Sequence, residues 1–455
     1  MILQRLLFLL VLNGVNGMDP FSIGYGITRF KVYWNIPSEV CNKKVQLDPE
    51  EYDIITNVNQ SFIGDKIITL YENMLGLYPA IEATYDSTNP LKYNNIAIRN
   101  GGLPQRNNLT EHLAKVRSDI EKLVPNPDFD GPLVIDYEAW RPVWGLNWGN
   151  RRIYQEESIK YVQERFPGVS RRLAKLIATD EFNAAARKFM TRTIRAVRKL
   201  RPHAYVGFYD YTMCNYDAGK NASVFPACSQ PHNDANDQLY WLYSESNALF
   251  PSIYYYDAIK MDEQWRQRYT FARINEAVMV RDLLGWRIPI FPYSKIIYKL
   301  DGTSSLDNFY TKSDQCLSLS FAAGFDIQGL ILWSTIHKIG DLCENMTHYL
   351  MNDFGPNVVR TVEKSAQCDI ERCNAHGRCV RKFPKSGPEA GCDYHRWPLK
   401  HYSCSCDLGY GGDECQNVAA MPTPRYMASD IDYEGSLIDT LSITVEEELE
   451  NEPID

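Results

Sequence analysis

Residues 131–149 read GPLVIDYEAWRPVWGLNWG. An apolar run ends in two carboxylates, Asp136 and Glu138, separated by one tyrosine and followed by Trp140, Arg141, Trp144 and Trp148. PLVI is a buried-strand composition, and side chains at i and i+2 of a strand project to one face. On that geometry Asp136 and Glu138 share a face, with Cα atoms about 6.6 Å apart, twice the rise per residue. A D-x-E at a strand end is ordinarily a solvated terminus. Here the carboxylates sit at the edge of an apolar run, where an unpaired charge is costly unless it is used. Two carboxylates in one poorly hydrated site cannot both ionise cheaply, so proton affinity rises, as a general acid requires.

Glycoside hydrolysis uses two carboxyl roles, but the ordinary pair flanks the sugar from opposite sides. Neighbours on one strand face cannot reach both sides of a ring. Substrate assistance resolves this: a 2-acetamido oxygen of the sugar attacks the anomeric carbon, Glu138 donates the proton and Asp136 orients the acetamido group. The substrate must then carry an N-acetylhexosamine. The tryptophans fit either core packing or stacking on sugar faces. Arg141 suits a carboxylated polysaccharide.

Outward from this stretch, β-rich apolar runs alternate with helical patterns from about residue 28 to 350. Strand candidates are FKVYWNIP, KIITLYE, PLVIDYEAW, AYVGFYDY, LFPSIYYY, IPIFPYSKI and QGLILW. The clearest helix lies in 181–200, where Phe182, Ala186, Phe189, Ile194 and Val197 recur at helical spacing and basic residues take the other, solvated side. Repeated strand-then-helix units predict an α/β fold, a (β/α) barrel whose strand C-termini carry the site.

The N-terminus MILQRLLFLLVLNG reads as a secretory signal peptide, residues 1–17, too short for a membrane span. Twelve cysteines agree with an oxidising compartment, as do sequons at Asn59, Asn108, Asn221 and Asn345. No later segment reads as transmembrane or as a lipid-anchor signal. The net charge of −9 resides in the tail: residues 429–455 hold ten Asp or Glu and no Lys or Arg, leaving the body near neutral. The tail, 417–455, has the composition of a disordered extension. Seven cysteines fall between Cys368 and Cys415, spaced C-x4-C-x5-C and then C-x-C-x8-C, which predicts a small disulfide module over 361–416 after a barrel over 18–360. A zinc site is disfavoured by the lack of a CxxC pair.

With these residues in view, the chain is similar to the hyaluronidase family of glycoside hydrolases. VYWNIPSEVC, LGLYPAI, NGGLPQRNNLT, VIDYEAWRPVWGLNWG, GFYDYTMCNY, NDQLYWLYSESNALFPSIY and GLILW resemble family segments in the family's order. The resemblance implies a distorted TIM-like (β/α) barrel with an elongated groove and an EGF-like disulfide-rich module. It also implies retaining endo-cleavage of β-1,4 links next to N-acetylhexosamine in hyaluronan, chondroitin or both. By the same resemblance Glu138 matches the proton donor and Asp136 the acetamido-orienting carboxylate. Tyr209 and Tyr254 match tyrosines contacting the acetamido group and hydroxyls, Trp333 an aromatic at the groove floor, and Tyr78 a groove-lining ring. The implied bridges are Cys41–Cys343, Cys214–Cys228, Cys368–Cys379, Cys373–Cys404 and Cys406–Cys415, leaving Cys316 and Cys392, which could pair with each other. Tyr137, Lys299 and Ile336 depart from the family pattern, Lys299 making the cleft more basic.

A chitinase-type glycosidase is a weaker match, since DFDGPLVIDYE spaces its acids differently and Val134 is not an acid. A non-catalytic glycan-binding or cell-recognition protein on the same scaffold is the other alternative, although binding needs no proton donor. No serine elbow, zinc-helix motif or phosphate loop occurs. The expectation is a monomeric enzyme acting on a glycosaminoglycan, secreted or routed to lysosomes, without cofactor, metal or nucleic acid.

Overall fold

The computed structural model describes residues 30–85, 93–219, 223–256, 261–285, 287–299, 306–334, 339–383 and 399–419. Its strands are β1 (Lys31–Asn35), β2 (Ile54–Thr56), β3 (Ile68–Tyr71), β4 (Ala80–Tyr85), β5 (Tyr93–Arg99), β6 (Pro132–Asp136), β7 (Tyr205–Phe208), β8 (Tyr293–Ser294), β9 (Gly329–Trp333), β10 (Gly377–Arg381) and β11 (Tyr402–Cys406). One parallel sheet runs β2-β1-β9-β8 and another β3-β6-β7. Parallel bridges Tyr209–Phe250, Leu249–Ile290 and Ser252–Tyr293 carry the order from β7 through 249–252 to β8. The parallel segments therefore follow one another in chain order around a ring. This is a distorted (β/α) barrel, with short 3-10 turns in place of helices between β1 and β2 and between β2 and β3.

Among the described residues no ladder joins β2 to β3, and a side chain spans the junction instead. Asn57, just after β2, accepts from the amides of Lys66 and Ile67 at 2.8 and 2.9 Å. Its Nδ2 donates back to the Ile67 carbonyl at 2.8 Å. Asn57 thus makes the backbone pairing that a strand neighbour would otherwise supply.

Period-two alternation sorts the strand residues into two layers. Val32, Trp34, Ile68, Leu70, Leu133, Ile135, Leu330 and Leu332 pack outward into the core shared with the helices. Tyr33, Ile67, Val134, Phe250, Phe291, Tyr293 and Ile331 fill the lumen with a second apolar cluster, so the barrel interior is a packed core, not a pore. All seven strand candidates read from the sequence lie on strands or bridges of this ring. The three-residue β2 and the antiparallel β4–β5 hairpin escape such a reading, the first because it is too short to show alternation.

Helices α1 (Leu109–Leu123), α2 (Arg152–Arg165), α3 (Arg171–Leu200), α4 (Glu263–Leu284) and α5 (Gly355–Cys373) cover the outside. In α3 the Ser170 hydroxyl caps the Leu173 amide at 3.2 Å, and Phe182, Ala186, Phe189, Ile194 and Val197 are buried. Helix α5 runs unbroken through residue 360 and carries Cys368 and Cys373 into the cysteine-rich segment, so a shared helix joins the two regions. Asp326 ties them further, accepting from Arg281, Arg287 and the Ser405 hydroxyl. Disulfides join Cys41 to Cys343, Cys214 to Cys228, Cys368 to Cys379, Cys373 to Cys404, and Cys406 to Cys415. The suggested Cys316–Cys392 bridge reaches a residue outside the described ones, as do the leader, Asn221, Ile336 and nearly all of the acidic tail. Asn59 and Asn108 are exposed, Asn345 half-buried.

Replacing Asn57 by alanine leaves two backbone amides at the β2–β3 junction without an acceptor. The expected loss is about 2–4 kcal/mol of unfolding free energy, read as a lowered urea midpoint with unchanged slope.

Candidate active site

The top of β6 follows from the alternation that fills the lumen. Val134 points inward, so Asp136, two residues on, also points inward at the C-terminal mouth of the ring. The strand ends at Asp136, and Glu138 lies on the loop beyond it. Tyr137, between them, turns the other way: it is buried, and its hydroxyl donates to the Leu75 carbonyl at 2.6 Å. Asp136 and Glu138 therefore face one cleft of about 350 Å3, lined also by Tyr71, Glu72, Asn73 and Arg99.

The two carboxyls occupy different environments. Asp136 is 8% exposed, and its Oδ1 is buried with no hydrogen-bond partner among the described residues. Burial pushes its proton affinity well above the usual carboxylate range, and the neighbouring Glu138 and Glu72 carboxylates push it further. The Glu138 side chain is 47% exposed at the cleft. Its proton affinity is also raised, by the protein around its base and then by Asp210 and Glu72, against the pull of Arg141 and Arg151. One carboxyl is thus enclosed and the other stands at the opening.

Arg141 lies 3.7 Å from Glu138, with its guanidinium 5.3 Å from the Tyr211 ring centre. Only 9% exposed, it is an internal counter-charge to Glu138 instead of the open polysaccharide contact expected from its sequence position. Arg151 donates to the Glu138 carbonyl at 3.1 Å.

An aromatic wall faces the pair. Trp333, at the end of β9, stacks on Tyr254 with ring centres 5.7 Å apart and donates its indole N–H to the Tyr71 hydroxyl at 2.8 Å. Tyr209, following β7, is 6.4 Å from Tyr254 and 5.1 Å from Tyr293, ring centre to ring centre. Lys295, just past β8, holds its ammonium 4.8 Å from the Tyr254 ring centre, 4.4 Å from Tyr256 and 5.7 Å from Trp333. Beneath the wall, the buried Arg273 of α4 donates to the carbonyls of Ser252 and Cys214 and pairs with Asp210, fastening two loops at the mouth to the helix. Asp210 adopts a left-handed backbone with φ 56°.

The structure brings Asp136, Glu138, Tyr209, Tyr254, Trp333 and Arg141 to one end of the barrel. It places Tyr78 elsewhere. That ring is 2% exposed, stacked on Trp140 at 5.1 Å and against Tyr137 at 4.3 Å, so it supports the loop from below and does not line an open groove. Trp140 and Trp144 are likewise core, and Trp148 is exposed. The cation over the aromatic wall is Lys295, whereas Lys299 is exposed further along the same run. Glu72, Arg99 and Lys295 were not singled out from the sequence. Their surroundings carry no recognisable spacing, and only the fold sets Glu72 and Arg99 beside Asp136 and Glu138, and Lys295 over the aromatic wall. Among the described residues no cluster of His, Cys, Asp and Glu suits a metal ion, and no helix is long and apolar enough to cross a membrane.

A family model described as hyaluronidase matches residues 25–390. The chain belongs to the hyaluronidase family. Like other hyaluronidases it is a glycoside hydrolase. It is 32% identical to a chondroitin hydrolase of Caenorhabditis elegans, over 91% of this chain and 86% of that protein. It is also 32% identical to human hyaluronidase-3, over 86% of this chain and 92% of that one. Bee venom hyaluronidase, solved with a hyaluronic acid tetramer, superposes with a TM-score of 0.64 at 28% identity, covering 73% of this chain and 99% of that one. The disulfides match a chain folded in an oxidising, extracellular-type compartment.

Because the folded state holds the Asp136 proton more tightly than the unfolded chain does, ionising it costs folding free energy. Stability from this group is present near pH 4 and below, and declines as pH rises toward the elevated folded value. Asp136→Asn removes the penalty. The variant should melt higher than the parent at pH 7, and the gap should close as pH falls to about 4, by calorimetry across pH.

Proposed function

We propose that this chain is an endo-β-N-acetylhexosaminidase that hydrolyses β-1,4 links in hyaluronan, chondroitin or both by a substrate-assisted, retaining route. The observation that carries the reading is the pairing of an enclosed, desolvated Asp136 with a solvent-open Glu138 on the same wall of one cleft. With both carboxyls on one side, neither is placed to attack the face of a sugar ring opposite the other. The nucleophile then comes from the substrate. Its acetamido oxygen bonds to the anomeric carbon as the glycosidic bond breaks, and Glu138 gives its proton to the departing oxygen. The buried, unpartnered Oδ1 of Asp136 is an acceptor suited to the acetamido N–H, holding the amide in line and stabilising the positive charge it acquires. Water then adds at the anomeric carbon, Glu138 takes its proton, and the acetamido group is released with configuration retained.

Tyr209, Tyr254 and Trp333 supply ring faces and hydroxyls for the N-acetylhexosamine, while Lys295 and Arg99 offer cations to a polymer that carries a carboxylate in every disaccharide. The raised proton affinity of Glu138 keeps the donor protonated further toward neutral pH, so activity is lost on the alkaline side. The enzyme works as a monomer in the secretory or lysosomal route.

Digestion of defined hyaluronan and chondroitin tests this by product analysis. Saturated even-numbered oligosaccharides ending in N-acetylhexosamine are expected; unsaturated ends would mean elimination and overturn the mechanism. Glu138→Gln should lower kcat by about a hundredfold to ten-thousandfold with little change in polymer affinity.

A further inference from the structure

The peptide that carries Glu138 is not part of the β6 ladder, so something else must aim it. Both of its nearest amides end on one oxygen. Oε1 of Glu72 accepts from the Glu138 N–H at 2.7 Å and from the Ala139 N–H at 2.6 Å. We propose that Glu72 is a positioning residue that clamps the peptide bearing Glu138 and places a third carboxylate in the cleft beside the reacting pair. This rests on the reading of Glu138 as the proton donor, given above.

Glu72 can act as a clamp because its own loop is held at several points. It directly follows β3, which pairs with β6 up to Tyr71 opposite Asp136. The following turn is closed by the Met74 N–H on the Tyr71 carbonyl at 2.9 Å. The Gly76 N–H donates to Asp119 at 2.8 Å and the Leu77 N–H to His112 Nδ1 at 2.9 Å, both acceptors lying on α1. Gly76 has φ 66°, and a Cβ there would fall 2.5 Å from the His112 ring, so only glycine lets the loop lie against α1. The Leu75 carbonyl receives the Tyr137 hydroxyl, and Asn107 donates to the Leu77 carbonyl at 2.8 Å. His112 Nε2 meets the Thr193 hydroxyl of α3 at 2.8 Å. Burial lowers the His112 proton affinity to about 4, which leaves Nδ1 free to accept the Leu77 amide at ordinary pH. Rigid support behind Glu72 reaches Glu138 through two short hydrogen bonds.

The same carboxylate alters the charge the pair feels. Glu138 is faced by Asp136 on its own chain segment, by Arg141 and Arg151 beyond it, by Asp210 after β7 and by Glu72 after β3. Arg99 from the hairpin also lines the cleft, paired to Glu82. Against Asp136 and Glu138 alike, Glu72 acts with Asp210 and opposes the arginines. Its removal should make the donor give up its proton at lower pH.

Two substitutions in the full chain separate the duties, with E138Q as the inactive control and thermal unfolding and circular dichroism to check folding. Glutamine keeps an oxygen for the two amides but not the charge, and alanine keeps neither. E72A should lose about a hundredfold in kcat with KM little changed, as expected for a misaimed donor. E72Q should recover most of that rate, yet its kcat should decline on the alkaline side at lower pH than the parent's. Wild-type kcat in E72A, or an unmoved alkaline limb in E72Q, would overturn the proposal. If E72A does not fold, the E72Q profile decides alone. Failure of the parent protein to cleave either polymer would instead bring down the function proposed for the site, and this inference with it.

Discussion

The site depends on one buried oxygen. Asp136 stands where an inward-facing strand position meets the mouth of the barrel, and its Oδ1 has no hydrogen-bond partner among the described residues. A buried polar atom left alone costs free energy that a folded core has no reason to spend. The cost becomes useful if a substrate amide is what completes it. The surrounding carboxylates raise the penalty for ionisation, and the arginine beside Glu138 opposes them.

Around that oxygen the protein is arranged in layers. Inward-facing rings pack the lumen and rise into the aromatic wall, so the same residue type that stabilises the barrel also forms the wall at its top. Outside the ring, the salt bridge of Arg273 with Asp210 and the stack of Tyr78 beneath Trp140 hold the loops that carry the cleft. The cysteine-rich segment is not an appendage on a free linker. It shares α5 with the barrel and is held at Asp326 by two arginines and a serine from both sides of the joint.

Where local pattern and tertiary setting agree, sequence reading reached far. The alternation of Leu133, Val134 and Ile135 before Asp136 marks a buried strand with an inward carboxylate, and the structure has it so. The buried stripe of α3 was legible for the same reason, since helical spacing is a property of neighbours in the chain. Tyr78 and Arg141 show the converse. A tyrosine or arginine near a site in sequence can turn either way, and which way depends on the element packed beneath it. Tyr78 meets Trp140 and Phe189 and is covered; Arg141 meets Tyr211 and Glu138 and is drawn inside.

By itself the sequence determined the barrel class, the carboxylate pair and the aromatic and cysteine content from which site and bridges are built, because hydrophobic period and residue chemistry are carried by the chain locally. Only the tertiary structure decided that Glu72, on the turn after a strand more than sixty residues earlier, holds the Glu138 peptide, that Asn57 spans the ring where the described residues form no ladder, and that Lys295 stands over the wall. Those are contacts between segments distant in the chain, set by the order of strands around the ring and by the direction each strand end faces. No local spacing encodes them.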